Sequence, residues 1–453
     1  LSHMSTGIRI RKGASINLKG KAEKILSDAA PSKTYALKPD NFFSIVPRMM
    51  VKEGESVAKG APVFHSKQDP RIIFVSPVSG VVKEIVRGAK RKILKIVIDK
   101  KNNESVAHKI PSTKSMDRKK VTEILLNSGA WSFIRQRPYG VLADPDITPK
   151  SIYVSTYASA PLDVDFDFLL KNNKEDFQNG IDVLNHLVDD QVKLAIDNSF
   201  SGFFEKIKGV EFLSVNGPHP AGNVSVHIHK HNPINMGEKV WEVRPEDVAN
   251  IGMLFSSGEF NAKRTVAVAG ESVLQPQYLK TTIGAELSSL TDVSGYVDTV
   301  QNRFINGDVL SGTAESSDGH LDYFNNLLSI IPEGDQYRMF GWLPFIDNAI
   351  PSLSKTSLSW LFNKKGYSVN TNMNGEERAF VVTGEMEKVF PMNIFPMQLL
   401  KACMAGDIEK MEALGIYEVI PEDFGLIDYA NTSKIEAQEI IKEGIELMIK
   451  EVG

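Results

Sequence analysis

Residues 45–98 form short β-branched runs, each interrupted by glycine or proline. That texture predicts many short strands joined by tight turns, an all-β module. From about residue 121 the texture changes. Residues 121–128 read as a helix ended at Gly129, 152–155 as a buried strand, 177–189 as an amphipathic helix and 192–196 as another strand. Such alternation indicates an α/β, Rossmann-like layer. The C-terminal region reads as helices over 397–404, 408–414 and 434–451, the last with Ile435, Ile440, Ile441, Ile445 and Met448 on one face. With 453 residues the chain has material for about three or four cores.

Composition excludes several function classes. Hydrophobic residues at 42% and charged residues at 24% are ordinary for a globular protein, and a net charge of −4 gives no pull toward nucleic acid. Leu1-Ser2-His3-Met4 reads as the remnant of a cleaved expression tag, with Met4 as the natural start. Residues 8–12 are too charged and too few for a signal-peptide core. No stretch approaches the roughly 18 apolar residues of a membrane span, so the chain is expected to be soluble. Cys403 is the only cysteine, which excludes an internal disulfide and any iron–sulfur cluster or zinc held by several thiolates. It lies in an apolar helical run and reads as a small core residue. No Gly-x-Ser-x-Gly nucleophile signature occurs.

The string from Val51 to Val63 and the string Ser76-Pro77-Val78-Ser79-Gly80-Val81-Val82 resemble the two halves of a biotinyl or lipoyl carrier domain, a barrel-sandwich hybrid. In that family the modified lysine lies on the hairpin between the halves. Here Asp69 takes its place, Lys67 is out of register, and an aspartate cannot be biotinylated, so the module reads as structural.

Residues 265–269, the loop 270–276 and the strand 278–283 leading through Gly284-Ala285 into 286–290 resemble a soluble-ligand-binding β-grasp domain. The order barrel-sandwich, Rossmann-like, β-grasp, helical resembles the NADH-admitting flavoprotein subunit of respiratory complex I. Six strings instead favour the NqrA family, one of the subunits of the sodium-translocating NADH:quinone reductase. They are Arg87-Gly88-Ala89-Lys90-Arg91; Ser128-Gly129-Ala130-Trp131; Arg135-Gln136-Arg137-Pro138; Gly217-Pro218-His219-Pro220-Ala221-Gly222 with His227-Ile228-His229; Phe340-Gly341-Trp342; and Asn374-Gly375-Glu376-Glu377-Arg378. A flavin- and NADH-binding version needs glycine-rich turns at the phosphates, and neither Gly-x-Gly-x-x-Gly nor a Walker loop is present. The dinucleotide fold is thus expected without its dinucleotide site. Family members carry two cysteines four residues apart where this chain has Ile427 and Asn431.

The expected organisation is an α/β multidomain chain. It comprises the tag remnant 1–4, a barrel-sandwich hybrid 5–110, a Rossmann-like α/β domain 111–258, a β-grasp domain 259–330, a strand and loop segment 331–390 and a helical domain 391–453.

The resemblance implies a peripheral subunit on the cytoplasmic face of the bacterial inner membrane. Its complex passes electrons from NADH to quinone and expels sodium. NADH, FAD, FMN and iron centres belong to partner subunits, the membrane-embedded component B and the flavin-bearing component C being the nearest expected partners. No complete catalytic site is expected in this chain alone, and no sodium path, because hard cations need clustered oxygen ligands along a membrane route.

Quinone contact is implied too, and a quinone head needs aromatic faces plus a few donors. Trp131, Arg135, Arg137 and Tyr139 are the first candidates, since arginine can both fork hydrogen bonds and stack on a ring; Phe42 and Phe43 could add an apolar wall. The bland alternatives are arginine–carboxylate pairs at a helix end and phenylalanine core packing. His219, His227, His229 and His231 suggest a competing reading as a metal-dependent enzyme, because alternate residues of a strand share a face. No zincin spacing accompanies them, and the prolines predict a rigid turn. Lys83, Arg87, Lys90, Arg91, Lys92 and Lys95 form a basic cluster that either meets anionic lipid or an acidic partner, or is simply solvated. A third reading makes the chain a pure docking scaffold.

Overall fold

The computed structural model describes residues 6–112, 115–199, 202–336, 338–340, 343, 350–355, 357–361 and 366–453. The largest sheet has seven strands in the order Thr6–Arg9, Val210–Asn216, Val192–Asp197, Ile152–Ser155, Val240–Glu242, Arg135–Arg137, Val141–Leu142. The first five are parallel, Arg135–Arg137 runs antiparallel to them, and Val141–Leu142 pairs antiparallel with Arg135–Arg137. The central strands Ile152–Ser155 and Val192–Asp197 are buried over most of their length because helices pack on the sheet. Helix Arg118–Ser128 begins where the Asp117 side chain accepts the Lys120 N–H and ends at Gly129 in the left-handed region, φ 83°.

Helices Lys174–Asn185 and Pro245–Ser257 cross at two glycines. A Cβ on Gly180 would lie 1.9 Å from the Val248 carbonyl oxygen, and one on Gly252 1.8 Å from that of Asp176. Only bare backbone permits this approach.

A six-stranded sheet runs Thr313–Glu315, Asn302–Asn306, Leu327–Pro332, Lys263–Ala269, Gln277–Thr282, Leu26–Asp28, beside helix Leu287–Ser294. The expected β-grasp elements are recognisable here. Two smaller sheets make the barrel-sandwich: Thr34–Leu37, Ile93–Lys100, Gly80–Arg87, Ser56–Val57, and Pro47–Met49, Pro62–Ser66, Ile73–Val75. Val63, Phe64, Phe74, Val82, Ile96 and Ile98 are buried in its core. The N-terminal segment ties the other units together, since Thr6–Arg9 pairs with Val210–Asn216 and Leu26–Asp28 with Gln277–Thr282.

At the hairpin where a carrier lysine would swing, Arg71 binds Asp69 and, through two further hydrogen bonds of 2.9 and 2.8 Å, Asp146 of the α/β unit. The tip is tied down. The basic cluster occupies the hairpin Gly80–Arg87/Ile93–Lys100, with Arg87, Lys90 and Arg91 exposed around the turn and Lys92 paired to Asp40 at 2.8 Å.

The helical end contains Pro396–Ala405, Ile408–Ala413, Gly425–Ala430 and Ala437–Glu451. Gly444 of the last helix accommodates Cys403, whose Sγ is 2.5 Å from where a Cβ would stand. Ile427 is fully buried, and Asn431 closes a turn by donating to the Ile427 carbonyl and accepting the Ile435 N–H. Part of the segment 331–390, including Gly341 and Trp342, lies outside the described residues.

One expectation is corrected. His227, His229 and His231 lie on the α-helix Val224–His231, not on a strand. The turn 217–223, with a cis His219–Pro220 bond and extended Asn223, starts a helix whose period-two histidine pattern is incidental. Alternate residues of a helix diverge by about 200°, so the three imidazoles do not align.

Candidate functional site

The strand Arg135–Arg137 pairs antiparallel with Val240–Glu242, placing Arg135 opposite Glu242. Residues two apart on a strand share a face, so both arginines reach the same carboxylate. Arg135 Nη2 is 2.8 Å from Glu242 Oε1, and Arg137 Nη2 is 3.1 Å from Oε2. Burial alone would raise the Glu242 carboxyl, but the two guanidiniums outweigh it and hold the pKa down. Arg137 is 2% exposed and also donates to Ser225 Oγ, so it belongs to the interior. Arg135 is less enclosed, with its guanidinium 5.4 Å from the centroid of Phe324.

The other aromatic candidates are packed. Trp131 is fully buried, gives its Nε1–H to the Ala143 carbonyl at 2.8 Å and meets Trp241 edge to face at 5.4 Å. Tyr139 is buried against Tyr417 at 6.0 Å. Phe42 is wedged between Phe74, Tyr323 and Phe324 at centroid distances of 4.4, 4.8 and 5.6 Å, while Phe43 is half-buried beside the core. Of the six, Arg135 alone lines the cavity described next, and Phe42 backs one of its walls through Phe324.

That cavity has a volume of about 350 Å³ and lies beyond the carboxyl ends of strands Ile152–Ser155 and Val240–Glu242, where open parallel sheets place their ligands. Its wall includes Arg135, Phe166, Glu242, Arg244 and Phe324, with Asn306, Asp308, Ser311 and Thr313 contributing from the β-grasp side. A second cavity of about 450 Å³, reaching Ile16, Leu18 and Phe204, shares Tyr157, Asp163, Phe166 and His219 with the first. Burial, reinforced by Asp308, pushes the Asp163 carboxyl up to about 6.

Sequence reasoning missed Phe166, Arg244, Asp163 and Phe324. A signal existed for Arg244: the run Val240-Trp241-Glu242-Val243-Arg244-Pro245 ends a strand and opens a helix, the position that faces a switch-point crevice.

Each histidine is engaged separately. His227 Nε2 lies 2.7 Å from the Ala221 carbonyl. His229 Nε2 accepts the Asn393 N–H, which leaves Nδ1 to donate to Glu418 at 2.8 Å. His231 bridges Tyr153 and Glu211, and His219 meets Ser159. Among the described residues no group of three or more His, Cys, Asp or Glu side chains is placed to hold a metal.

The architecture and crevice define a multidomain α/β protein with a barrel-sandwich and a β-grasp unit. Family models match three parts of the chain: "NqrA N-terminal barrel-sandwich hybrid domain" over 8–101, "NqrA second alpha/beta domain" over 116–260 and "NQRA C-terminal domain" over 265–316. The chain is 34% identical over 441 residues to the A subunit of the Na(+)-translocating NADH-quinone reductase of Yersinia pestis, covering 96% of this chain and 98% of that protein. The protein of the same name from Neisseria gonorrhoeae is 32% identical over 449 residues, 98% of this chain and 100% of that one. The chain belongs to the NqrA family, the A subunits of Na(+)-translocating NADH-quinone reductases. A crystal structure of an NAD+-reducing [NiFe]-hydrogenase aligns over 75% of this chain and 62% of that one at 10% identity and a TM-score of 0.39, too loose a likeness to argue from.

Proposed function

We propose that the chain is a peripheral subunit of an NADH-driven, sodium-translocating quinone reductase, docked on membrane partners at the cytoplasmic face, and that it contributes a quinone-binding cavity. Flavins, iron centres and the sodium path fall to the other subunits, the membrane-embedded component B and the flavin-bearing component C among them. Two observations support the placement: no described helix is long and apolar enough to cross a membrane, and full-length relatives bear the subunit's name.

One observation carries the quinone assignment: Arg135, fixed by Glu242 and stacked over Phe324, faces a crevice of about 350 Å³ that also offers the Phe166 ring. A quinone head is a flat ring with two acceptor oxygens, and such a wall supplies faces and donors together.

The test is a titration of the full chain with a short-tailed benzoquinone, followed by tryptophan fluorescence. Trp241 adjoins Glu242 in the cavity wall and contacts Trp131, so occupancy should quench the pair. Saturable quenching that weakens about tenfold in Arg135→Ala supports the reading; a flat response makes the chain a docking scaffold.

A further inference from the structure

The arginines around the crevice are not equivalent. Arg135 and Arg137 divide Glu242 between them, and Arg264 holds Asp247 at 2.8 Å. Arg244 lines the same cavity, yet among the described residues no carboxylate or carbonyl pairs with its guanidinium, and its Nε is buried with no partner. Glu422, Asp247 and Asp163 lie close enough for their charge to act on Arg244, but none hydrogen-bonds it: Asp247 is held by Arg264 and Glu422 lies 3.9 Å from Arg137. Asp163 accepts the N–H of Val164 at 2.9 Å, and Asp308 accepts from Leu310 and Ser311. Backbone geometry fixes this position: Pro245 follows, so Arg244 is extended at φ −72°, ψ 149°, at the mouth of its strand.

An unpaired, partly buried guanidinium is costly, and native proteins rarely leave one without purpose. The charge of its surroundings decides what kind of oxygen it awaits. Six carboxyl groups face the cavity: Asp40, Asp163, Glu242, Asp308, Asp322 and Glu422. Lys92, Lys38 and the two arginines Arg135 and Arg137 offset Asp40, Asp322 and Glu242, which leaves a wall that is still acidic on balance toward a ligand with a permanent negative charge. A neutral acceptor escapes that repulsion and still takes a charge-assisted hydrogen bond.

We propose that Arg244 is the positioning residue that donates to a carbonyl oxygen of the quinone in this cavity. The inference rests on the quinone reading above and deepens it. Phe166 and Phe324 supply the ring faces, and Arg244 fixes which way the head points. The same contact strengthens as negative charge grows on that oxygen during reduction, because a guanidinium favours an anionic acceptor over a neutral one.

The experiment compares the wild-type chain, Arg244→Met and Arg244→Lys for two probes. One is a short-tailed benzoquinone; the other is the dimethyl ether of the corresponding hydroquinone, a flat ring of the same substitution whose ether oxygens are only weak acceptors. Wild type should prefer the quinone about tenfold or more. Arg244→Met should lose that preference and Arg244→Lys recover part of it. Because no protein group hydrogen-bonds Arg244, Arg244→Met strands no such partner, and its denaturation midpoint should fall far less than that of a variant breaking the paired Arg264.

A full quinone preference in Arg244→Met would overturn the assignment to Arg244 while leaving the quinone reading intact, as would a sharp loss of stability, which marks a structural arginine. No quinone binding by wild type would instead sink the reading itself.

Discussion

Arg264 and Asp247 meet at 2.8 Å with neither side chain exposed to solvent. Asp247 lies in the first turn of the helix Pro245–Ser257, and Arg264 lies in the β-grasp strand Lys263–Ala269. Arg264 also donates to the Tyr323 carbonyl at 2.6 Å, while Glu246 accepts the Thr265 N–H and binds Asn326. The two units are thus joined through a sealed polar network.

Removing one member of such a network strands its partners in a dry place. Arg264→Met should therefore destabilise the chain by about 3–5 kcal/mol, read from the midpoint of urea unfolding. An unchanged midpoint would show that water reaches Asp247.

At Gly252 the helical gain from alanine, about 1 kcal/mol, competes with a Cβ placed 1.8 Å from the Asp176 carbonyl oxygen. Backbone cannot give as a flexible side chain can, so the clash wins. Gly252→Ala should lower stability by roughly 1–3 kcal/mol or prevent soluble expression. At Gly54, where no atom lies within 4 Å of the added Cβ, the cost of alanine comes only from its positive φ.

Burial lowers the His227 imidazole to about 4 and its hydrogen bond to the Ala221 carbonyl only partly resists this. Between that value and the unfolded value near 6.5, the unfolded chain binds more protons than the folded one. The contribution of this neutral histidine is therefore complete above about pH 6.5 and is lost as pH falls toward 4, amounting to roughly 3 kcal/mol at the acid end. Thermal unfolding from pH 7 to pH 4.5 should show a falling midpoint, with a shallower slope in His227→Gln. Equal slopes would assign the acid sensitivity elsewhere, His320 being the next candidate, as it too is pressed down to about 4 by burial.

Burial raises the thiol of Cys403 to about 11, and the side chain sits against Gly444. A disulfide reagent should label the native chain at least about tenfold more slowly than the denatured one at pH 8. Rapid native labelling would mean that helix Ala437–Glu451 detaches readily.

The elements legible in the sequence were those whose cause is local. Helix Arg118–Ser128 announces its end through Gly129, though it starts three residues before the expected 121, at the Asp117 cap, and the strand Val192–Asp197 announces itself through its largely apolar run. The histidine segment misled because imidazoles at every second position imitate a strand, whereas the turn before it starts a helix. The string around Arg135 was chosen for its residue types, but its roles are set by Glu242 and Phe324, which lie far along the chain. Trp131 and Arg137 therefore became interior residues although they adjoin a cavity-lining one. The position of Arg244 was legible from the strand-to-helix run that ends at Pro245, but its lack of a hydrogen-bonding partner is a property of the folded surroundings.

The pairing of Thr6–Arg9 with Val210–Asn216, and of Leu26–Asp28 with Gln277–Thr282, has a consequence for how the molecule is made. Residues 6–28 leave the ribosome roughly 200–250 residues ahead of their partners. At about 5–20 residues per second these two strands wait roughly 10–50 s for a place to go. The barrel-sandwich can close in that interval, while the two strands that precede it stay free until the sheets that need them exist.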